Sequence, residues 1–171
     1  ANRLPLKYWK QTDTTVKGFE VDVSQALELG RYGSLQLSAF SDLVKNKADH
    51  PDSLRAHNDG QYLPNMPTNR YGANVAWQRG GWKAHLSGTY YDTQQYLGRN
   101  VSEEIPLPAF TLVDMQVSYA FPIRNAHVSA LEVFVNGSNL LDEEARPHNS
   151  PLKYIAPLPG RGFQIGLNVK L

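Results

Sequence analysis

Apolar and polar residues alternate along much of this chain, and the most regular run is the last one, residues 163–171. Every second residue there is apolar: Phe163, Ile165, Leu167, Val169 and Leu171. Successive side chains of a strand point to opposite faces, so this run predicts a strand with one apolar and one polar face. The same alternation predicts seven more strands at 2–10, 16–29, 34–44, 70–78, 82–90, 107–121 and 127–136, with Phe134 out of step in the last of these.

The connections between the predicted strands alternate in length. Short turns lie at 30–33, 79–81 and 122–126, and long polar connections lie at 45–69, 93–106 and 139–161, while the short turn 11–14 is the exception. In an antiparallel sheet the short turns then share one end and the long connections share the other. Outer-membrane barrels have short periplasmic turns and long extracellular loops, and strands of about 9–11 residues cross a bilayer. The pattern predicts an all-β fold of eight antiparallel transmembrane β-barrel strands.

Aromatic residues stand beside two of the short turns. Trp77 and Trp82 flank the turn 79–81, and Tyr119 and Phe121 precede the next one. On the lipid side these rings are expected to form a girdle at the level of the lipid head groups. The alternative is that aromatic residues are simply frequent in strands.

Composition adds a few limits. A chain of 171 residues fits one domain, and a formal net charge of +1 gives no sign of nucleic-acid binding. The absence of cysteine excludes disulfides and thiolate metal sites. No apolar run of about 18 residues predicts a transmembrane helix, and no signal peptide is recognised at Ala1.

Chemistry-bearing residues are sparse and scattered. No serine, histidine and acid stand together as a catalytic set, so an enzyme is not expected. The connection 45–69 carries five residues that can bind Zn²⁺ or a similar ion: Asp49, His50, Asp52, His57 and Asp59. Because their spacing is not that of a tight metal site, a solvated polar loop is the alternative.

The end of the chain resembles a known assembly signal. Gln164, Gly166, Val169 and Leu171 follow the order of the C-terminal signal of bacterial outer-membrane β-barrels. That signal usually ends on an aromatic residue, and Leu171 stands in its place.

Five further segments resemble TonB-dependent outer-membrane receptors. Residues 135–142, which end in Asn-Leu-Leu-Asp, are similar to a segment that follows a late strand of those receptors. Residues 148–153 and 156–163 are similar to the run before their last strand, and 17–22 and 81–84 to their strand openings. The chain is therefore identified as resembling the C-terminal barrel region of a TonB-dependent receptor.

This resemblance implies that residues 1–171 are the C-terminal part of a 22-stranded barrel, without a plug domain or a TonB box. It implies uptake of a scarce metal or metal chelate (zinc, a ferric siderophore or haem) as a transported ligand, with no cofactor required. The implied partners are outer-membrane lipid, the remaining barrel and plug, the TonB complex and the barrel-assembly machinery. The implied ligand-binding residues in the long loops are Tyr62, Tyr96, Arg99, His148 and Tyr154.

Two other classes of protein fit the same alternation. A self-contained eight-stranded outer-membrane barrel would have a structural or adhesion role. A soluble β-sandwich or lipocalin-like binder would bury the apolar face inside the protein.

Arg161 stands directly before the last predicted strand. Its planar guanidinium suits paired hydrogen bonds to a carboxylate. We expect it to pair with Glu132 or Asp114 on the polar face and so to fix the last strand, which is a structural role.

Overall fold

The computed structural model describes residues 13–48, 62–98, 104–123 and 129–170, which form one antiparallel sheet. Seven strands follow one another in chain order: β1 Thr14–Glu28, β2 Ser34–Ala48, β3 Arg70–Arg79, β4 Trp82–Tyr91, β5 Phe110–Phe121, β6 Ala130–Ser138 and β7 Gly162–Lys170. The predicted all-β antiparallel fold is thus confirmed. The strand predicted at 2–10 lies outside the described residues.

Helix is confined to a single 3₁₀ turn, Gly30–Tyr32, in the part of the chain that the structure describes. No helix among these residues has the length and apolar character needed to span a membrane.

Several strand boundaries differ from the prediction by one to four residues, among them the end of β2 and the start of β5. β2 continues to Ala48 instead of ending at residue 44, because it pairs with β1 along its whole length, from Ser34 opposite Glu28 to Ala48 opposite Thr14. β5 begins at Phe110 instead of residue 107. Pro108 has no N–H group to donate to a neighbouring strand, which accounts for the later start.

One face of the sheet carries most of the apolar side chains, and no second layer covers it in the described ranges. On β7, Phe163, Ile165 and Leu167 are 67%, 75% and 65% exposed. A soluble sandwich would bury such a face against a second sheet, so the sandwich alternative does not describe this chain. In a membrane barrel, lipid covers this face.

The opposite face is polar and carries its own hydrogen bonds. Glu132 on β6 accepts a hydrogen bond of 2.7 Å from the Ser118 hydroxyl on β5 and one of 3.4 Å from the Asn168 amide on β7. Charged and amide side chains in these positions fit a water-filled lumen.

The short turns gather at one end of the sheet, together with the aromatic residues. Gly80, at φ +55°, allows the two-residue hairpin between β3 and β4. Beside it the Trp82 and Tyr119 rings lie 4.7 Å apart, and the Tyr119 and Phe121 rings lie 4.8 Å apart. These rings are on the apolar face at the short-turn end, where the sequence predicts a girdle. The long loops 49–69, 92–109 and 139–161 all leave from the other end.

Candidate ligand-binding cleft under the long loops

A buried ion pair holds the three long loops together. Lys153 of loop 139–161 pairs with Glu104 of loop 92–109, and their side chains are 3% and 4% exposed. Lys153 also donates to the Asn65 side-chain oxygen of loop 49–69 at 3.0 Å and to the His148 carbonyl at 2.8 Å. Glu104 in turn accepts from the backbone N–H groups of Asn65 and Gly98, each at 2.8 Å. One lysine and one carboxylate therefore connect three loops that are distant in sequence.

These hydrogen bonds decide the charge of the carboxylate. Burial by itself would raise the pKa of Glu104, but hydrogen bonds from Lys153, Asn65 and Gly98 outweigh burial and hold that pKa below its ordinary value. The carboxylate therefore stays ionised, and a charge-assisted hydrogen bond to Lys153 is stronger than one between neutral groups.

His148 lies against this ion pair as a neutral ring. Its Nδ1 is 3.4 Å from the Lys153 ammonium, and since an ammonium can only donate, Nδ1 must accept and Nε2 must carry the hydrogen. Burial and the charge of Lys153 lower the pKa of His148, against smaller opposite effects of Glu104 and of a hydrogen bond with the Met66 backbone.

Below the ion pair, one row of side chains crosses the polar face of five neighbouring strands. The register places Glu20, Asp42, Arg70, Tyr91 and Phe110 side by side on β1 to β5. Arg70 forms an ion pair with Asp42. The Tyr91 and Phe110 rings stack at 4.6 Å with 16° between their planes. The row thus runs from two carboxylates through a guanidinium to an aromatic pair.

All five residues of this row line a cleft of about 310 Å³. The long loops supply its other wall, with Pro67, Gln94, Arg146 and His148. Gln94 donates to the carbonyl of Pro67 at 2.8 Å, and Arg146 donates to the carbonyl of Lys153 at 2.9 Å, so both side chains are held in place. Carboxylates, guanidinium groups and an aromatic surface together can bind a polar ligand of modest size.

The comparison with protein families matches this architecture. A family model described as TonB dependent receptor-like, beta-barrel, matches residues 4–140. The chain belongs to this receptor-barrel family. Members of the family are outer-membrane transport proteins that work with a plug and TonB. A comparison with curated proteins found no match to the chain.

In this receptor barrel, the candidate ligand-binding residues fall into two groups. His148 lines the cleft, and Tyr154 lies next to the ion pair, with the Lys153 ammonium 5.4 Å from its ring centroid. Tyr62 and Tyr96 form a separate pair, with ring centroids 5.1 Å apart. Arg99 lies outside the described residues. Of the four members of this set that the structure describes, only His148 is in the cleft wall.

Tyr154 has its hydroxyl group engaged with the second long loop. It donates to the Ile105 carbonyl at 3.1 Å and accepts from the Ile105 N–H at 3.0 Å. Burial raises the pKa of Tyr154, against the opposite effect of the hydrogen bond with Ile105. The hydroxyl thus stays protonated and joins two loops.

The proposed metal ligands cannot be placed. Asp49, His50, Asp52, His57 and Asp59 all lie outside the described residues. Within the described ranges, no three histidine or acidic side chains converge in a way that could hold a metal ion.

The assembly-signal residues alternate between the two faces of β7. Gln164 lies opposite Asn136 and Gly166 lies opposite Phe134, both on the polar face, while Val169 is on the apolar face. Leu171 lies outside the described residues.

Phe134, which is out of step in sequence, covers the glycine opposite it. The register pairs Phe134 with Gly166, and a Cβ atom on Gly166 would collide with the Phe134 ring. Phe40 on β2 lies over Gly72 on β3 in the same way. An aromatic ring that covers a glycine on the next strand fixes the register of the pair. The sequence signal was present, as an apolar residue at a polar position and a glycine in mid-strand.

The Asn-Leu-Leu-Asp motif begins the third long loop. Asn139, at φ +47°, donates its backbone N–H to Asp114 at 2.8 Å. Its side-chain amide donates to the carbonyls of Glu143 and Pro159 at 2.9 and 3.1 Å. The motif therefore closes the start and the end of this loop against β5.

The partner predicted for Arg161 is wrong. Its guanidinium lies 3.6 Å from Asp142, and its backbone N–H donates to the same carboxylate at 2.8 Å. Asp114 and Glu132 were expected instead, but each of them already accepts hydrogen bonds from nearer donors. Arg161 still has a structural contact, because Asp142 and Arg161 join the two ends of the last long loop.

Proposed function

We propose that this chain forms part of the wall of an outer-membrane receptor that takes up a scarce metal or metal chelate, such as zinc, a ferric siderophore or haem. The observation that carries the proposal is the cleft at the long-loop end of the polar face. In an outer-membrane barrel this end faces the exterior and this face lines the lumen. A ligand that arrives from outside would meet the cleft before it reached the lumen.

The electrostatics of the cleft favour a ligand with a positive group. Glu20 lies directly opposite Asp42 on the next strand, and like charges in such a pair destabilise a sheet. Arg70 compensates Asp42, whereas no cation among the described residues forms an ion pair with Glu20. A metal ion, or the cationic part of a chelate, would supply the missing charge.

The same proposal includes the partners and the absence of enzymatic chemistry. The chain would act with the remaining barrel, with a plug that couples it to the TonB complex, and with the barrel-assembly machinery, in the outer membrane. It would need no cofactor, and the metal would be cargo. Tyr62, Tyr96, Arg99, His148 and Tyr154 remain candidates for capture by the loops, as do the five acidic and histidine residues of 49–59.

Uptake by cells tests the proposal. The full-length receptor would be expressed in a strain that lacks its own metal receptors, and uptake of labelled zinc ion, a ferric hydroxamate chelate and haem would be measured with and without TonB. We expect TonB-dependent uptake of one of the three. Uptake of all three at the rate of the receptor-free strain would contradict the proposal.

A matched pair of variants assigns the uptake to the cleft. Glu20 and Glu28 lie on the same face of β1, Glu20 in the middle of the strand and Glu28 at its short-turn end, and only Glu20 lines the cleft. We expect Glu20→Gln to reduce uptake by about tenfold, which corresponds to about 1.4 kcal/mol of lost interaction. Glu28→Gln should have little effect, and equal losses in both variants would show that the cleft is not the binding site.

The alternative is a self-contained eight-stranded barrel with a structural or adhesion role. It requires β1 or the segment before it to close against β7. The family match supports the receptor in preference, because it assigns most of the chain to a receptor barrel.

A further inference from the structure

Three lysines stand together on the outward face at the long-loop end of the first hairpin. The register places Lys17 of β1 directly opposite Lys45 of β2. Lys47 lies opposite Thr15, two residues nearer the long-loop end of the sheet. All three lysines are exposed. They are on the same face of the sheet as Phe19 and Leu43, a pair two residues nearer the middle of the membrane. The cluster, Lys17, Lys45 and Lys47, therefore lies on the lipid side of the barrel and not in the lumen.

The height of this cluster fits the lipid head groups. On the same face, Tyr71 and Tyr90 form a ring pair with centroids 6.3 Å apart, in the register row of Val21. Tyrosines in such positions mark the interface between hydrocarbon and head groups. Lys17 lies four residues further out, which is about 13 Å along the strand and about 10 Å in height at a tilt of about 40°.

No ion pair neutralises the cluster within the described ranges. Asp13 and Thr15, at the edge of the cluster, make contacts of their own. Lys45 is held by the Tyr96 ring, 5.2 Å from its ammonium group, and remains directly opposite Lys17. Two like charges in direct opposition repel each other unless an anion lies between them.

We propose that Lys17, Lys45 and Lys47 bind the phosphate groups of phosphorylated lipid in the outer leaflet, with lipid A as the representative ligand. Ammonium groups donate charge-assisted hydrogen bonds to phosphate oxygens. The apolar rows just below them are continuous with the lipid-covered face and receive the acyl chains. The site goes beyond the proposed transport function and is independent of which ligand is carried.

Binding of lipid A to the purified full-length receptor in detergent tests the proposal. The probes are bis-phosphorylated lipid A and dephosphorylated lipid A, and the dissociation constants are measured by native mass spectrometry. Each basic residue near an anionic lipid contributes about fivefold in affinity. We expect Lys17→Gln with Lys45→Gln to weaken binding of phosphorylated lipid A roughly twentyfold and to leave dephosphorylated lipid A unchanged.

The controls separate this site from general charge effects. Lys83→Gln with Lys170→Gln removes two lysines from the polar face and should leave lipid A binding intact, and Lys17→Arg with Lys45→Arg should retain it. Equal affinity of the wild-type receptor for the two lipids would overturn the proposal, as would an equal loss in the Lys83 and Lys170 variant. Displacement of lipid A by inorganic phosphate at similar concentrations would show a simple phosphate site instead. Heat-modifiable migration on gels verifies that every variant is folded.

Discussion

Replacement of Lys153 by methionine tests the buried ion pair that joins the long loops. Methionine keeps most of the length of the side chain and removes its charge, so the ionised Glu104 is left buried without its cation. Removal of one partner from a buried pair costs about 3–5 kcal/mol. Because this pair lies under loops and not in a packed core, we expect about 3 kcal/mol, at the lower end of that range.

Hydrogen exchange measures this cost where it arises. The N–H groups of Asn65 and Gly98 donate to Glu104, so they report the opening of the cluster directly. A loss of about 3 kcal/mol corresponds to exchange roughly 150-fold faster at these two amides. Lys83→Met, which removes an exposed lysine on the polar face of β4, is the control and should leave both amides protected.

A second substitution distinguishes charge from packing. Lys153→Met with Glu104→Gln leaves no buried charge, so it should recover part of the lost protection. If Lys153→Met leaves exchange at Asn65 and Gly98 unchanged, the ion pair does not hold the loops. If the double variant loses as much protection as the two single variants added together, the cost comes from packing and not from the unpaired charge.

Exchange at the same two amides also measures how the stability of the loop cluster depends on pH. The pKa of Glu104 is held below its ordinary value of 4.5 in the folded protein. The stabilisation is therefore complete above pH 4.5 and is lost as the pH falls through the lowered pKa. In Lys153→Met the pKa of the buried, unpaired carboxyl rises, so acidification should cost these amides less protection than it does in the wild-type receptor.

Two substitutions on β7 test the assignment of its faces and its register. Gly166→Ala should destabilise the receptor by about 1–3 kcal/mol, because the new methyl group displaces the Phe134 ring. In the control, Gly88→Ala on β4, the new methyl group meets no atom within 4 Å, so this variant should be as stable as the wild type. The midpoint of urea unfolding, followed by heat-modifiable migration, is compared for the two variants, and equal shifts would contradict the Phe134–Gly166 contact. Leu167→Lys should impair membrane assembly by about 2–4 kcal/mol if that face meets lipid near the middle of the bilayer. Asn168→Lys, on the polar face, should assemble normally, and normal assembly of both variants would show that the facing is assigned wrongly.

Strands and their faces could be predicted because both depend on local chemistry. A period of two along Phe163, Ile165, Leu167 and Val169 assigns the apolar side of β7 without reference to any other strand. The parity of short turns and long loops then assigns the two ends of the sheet.

Contacts between distant segments were decided only by the tertiary structure. Glu104 and Lys153 are 49 positions apart, and nothing in the residues around either one indicates the other. The row from Glu20 to Phe110 depends on the register of five strands, and a shift of one residue in any of them would move a side chain to the other face. Arg161 shows the same limit, because a guanidinium can pair with any nearby carboxylate and only the path of the loop brings Asp142 to it. Residue types thus determined which strands form and which face meets lipid, while the register and the loop paths determined the cleft, the ion pair and the lysine cluster.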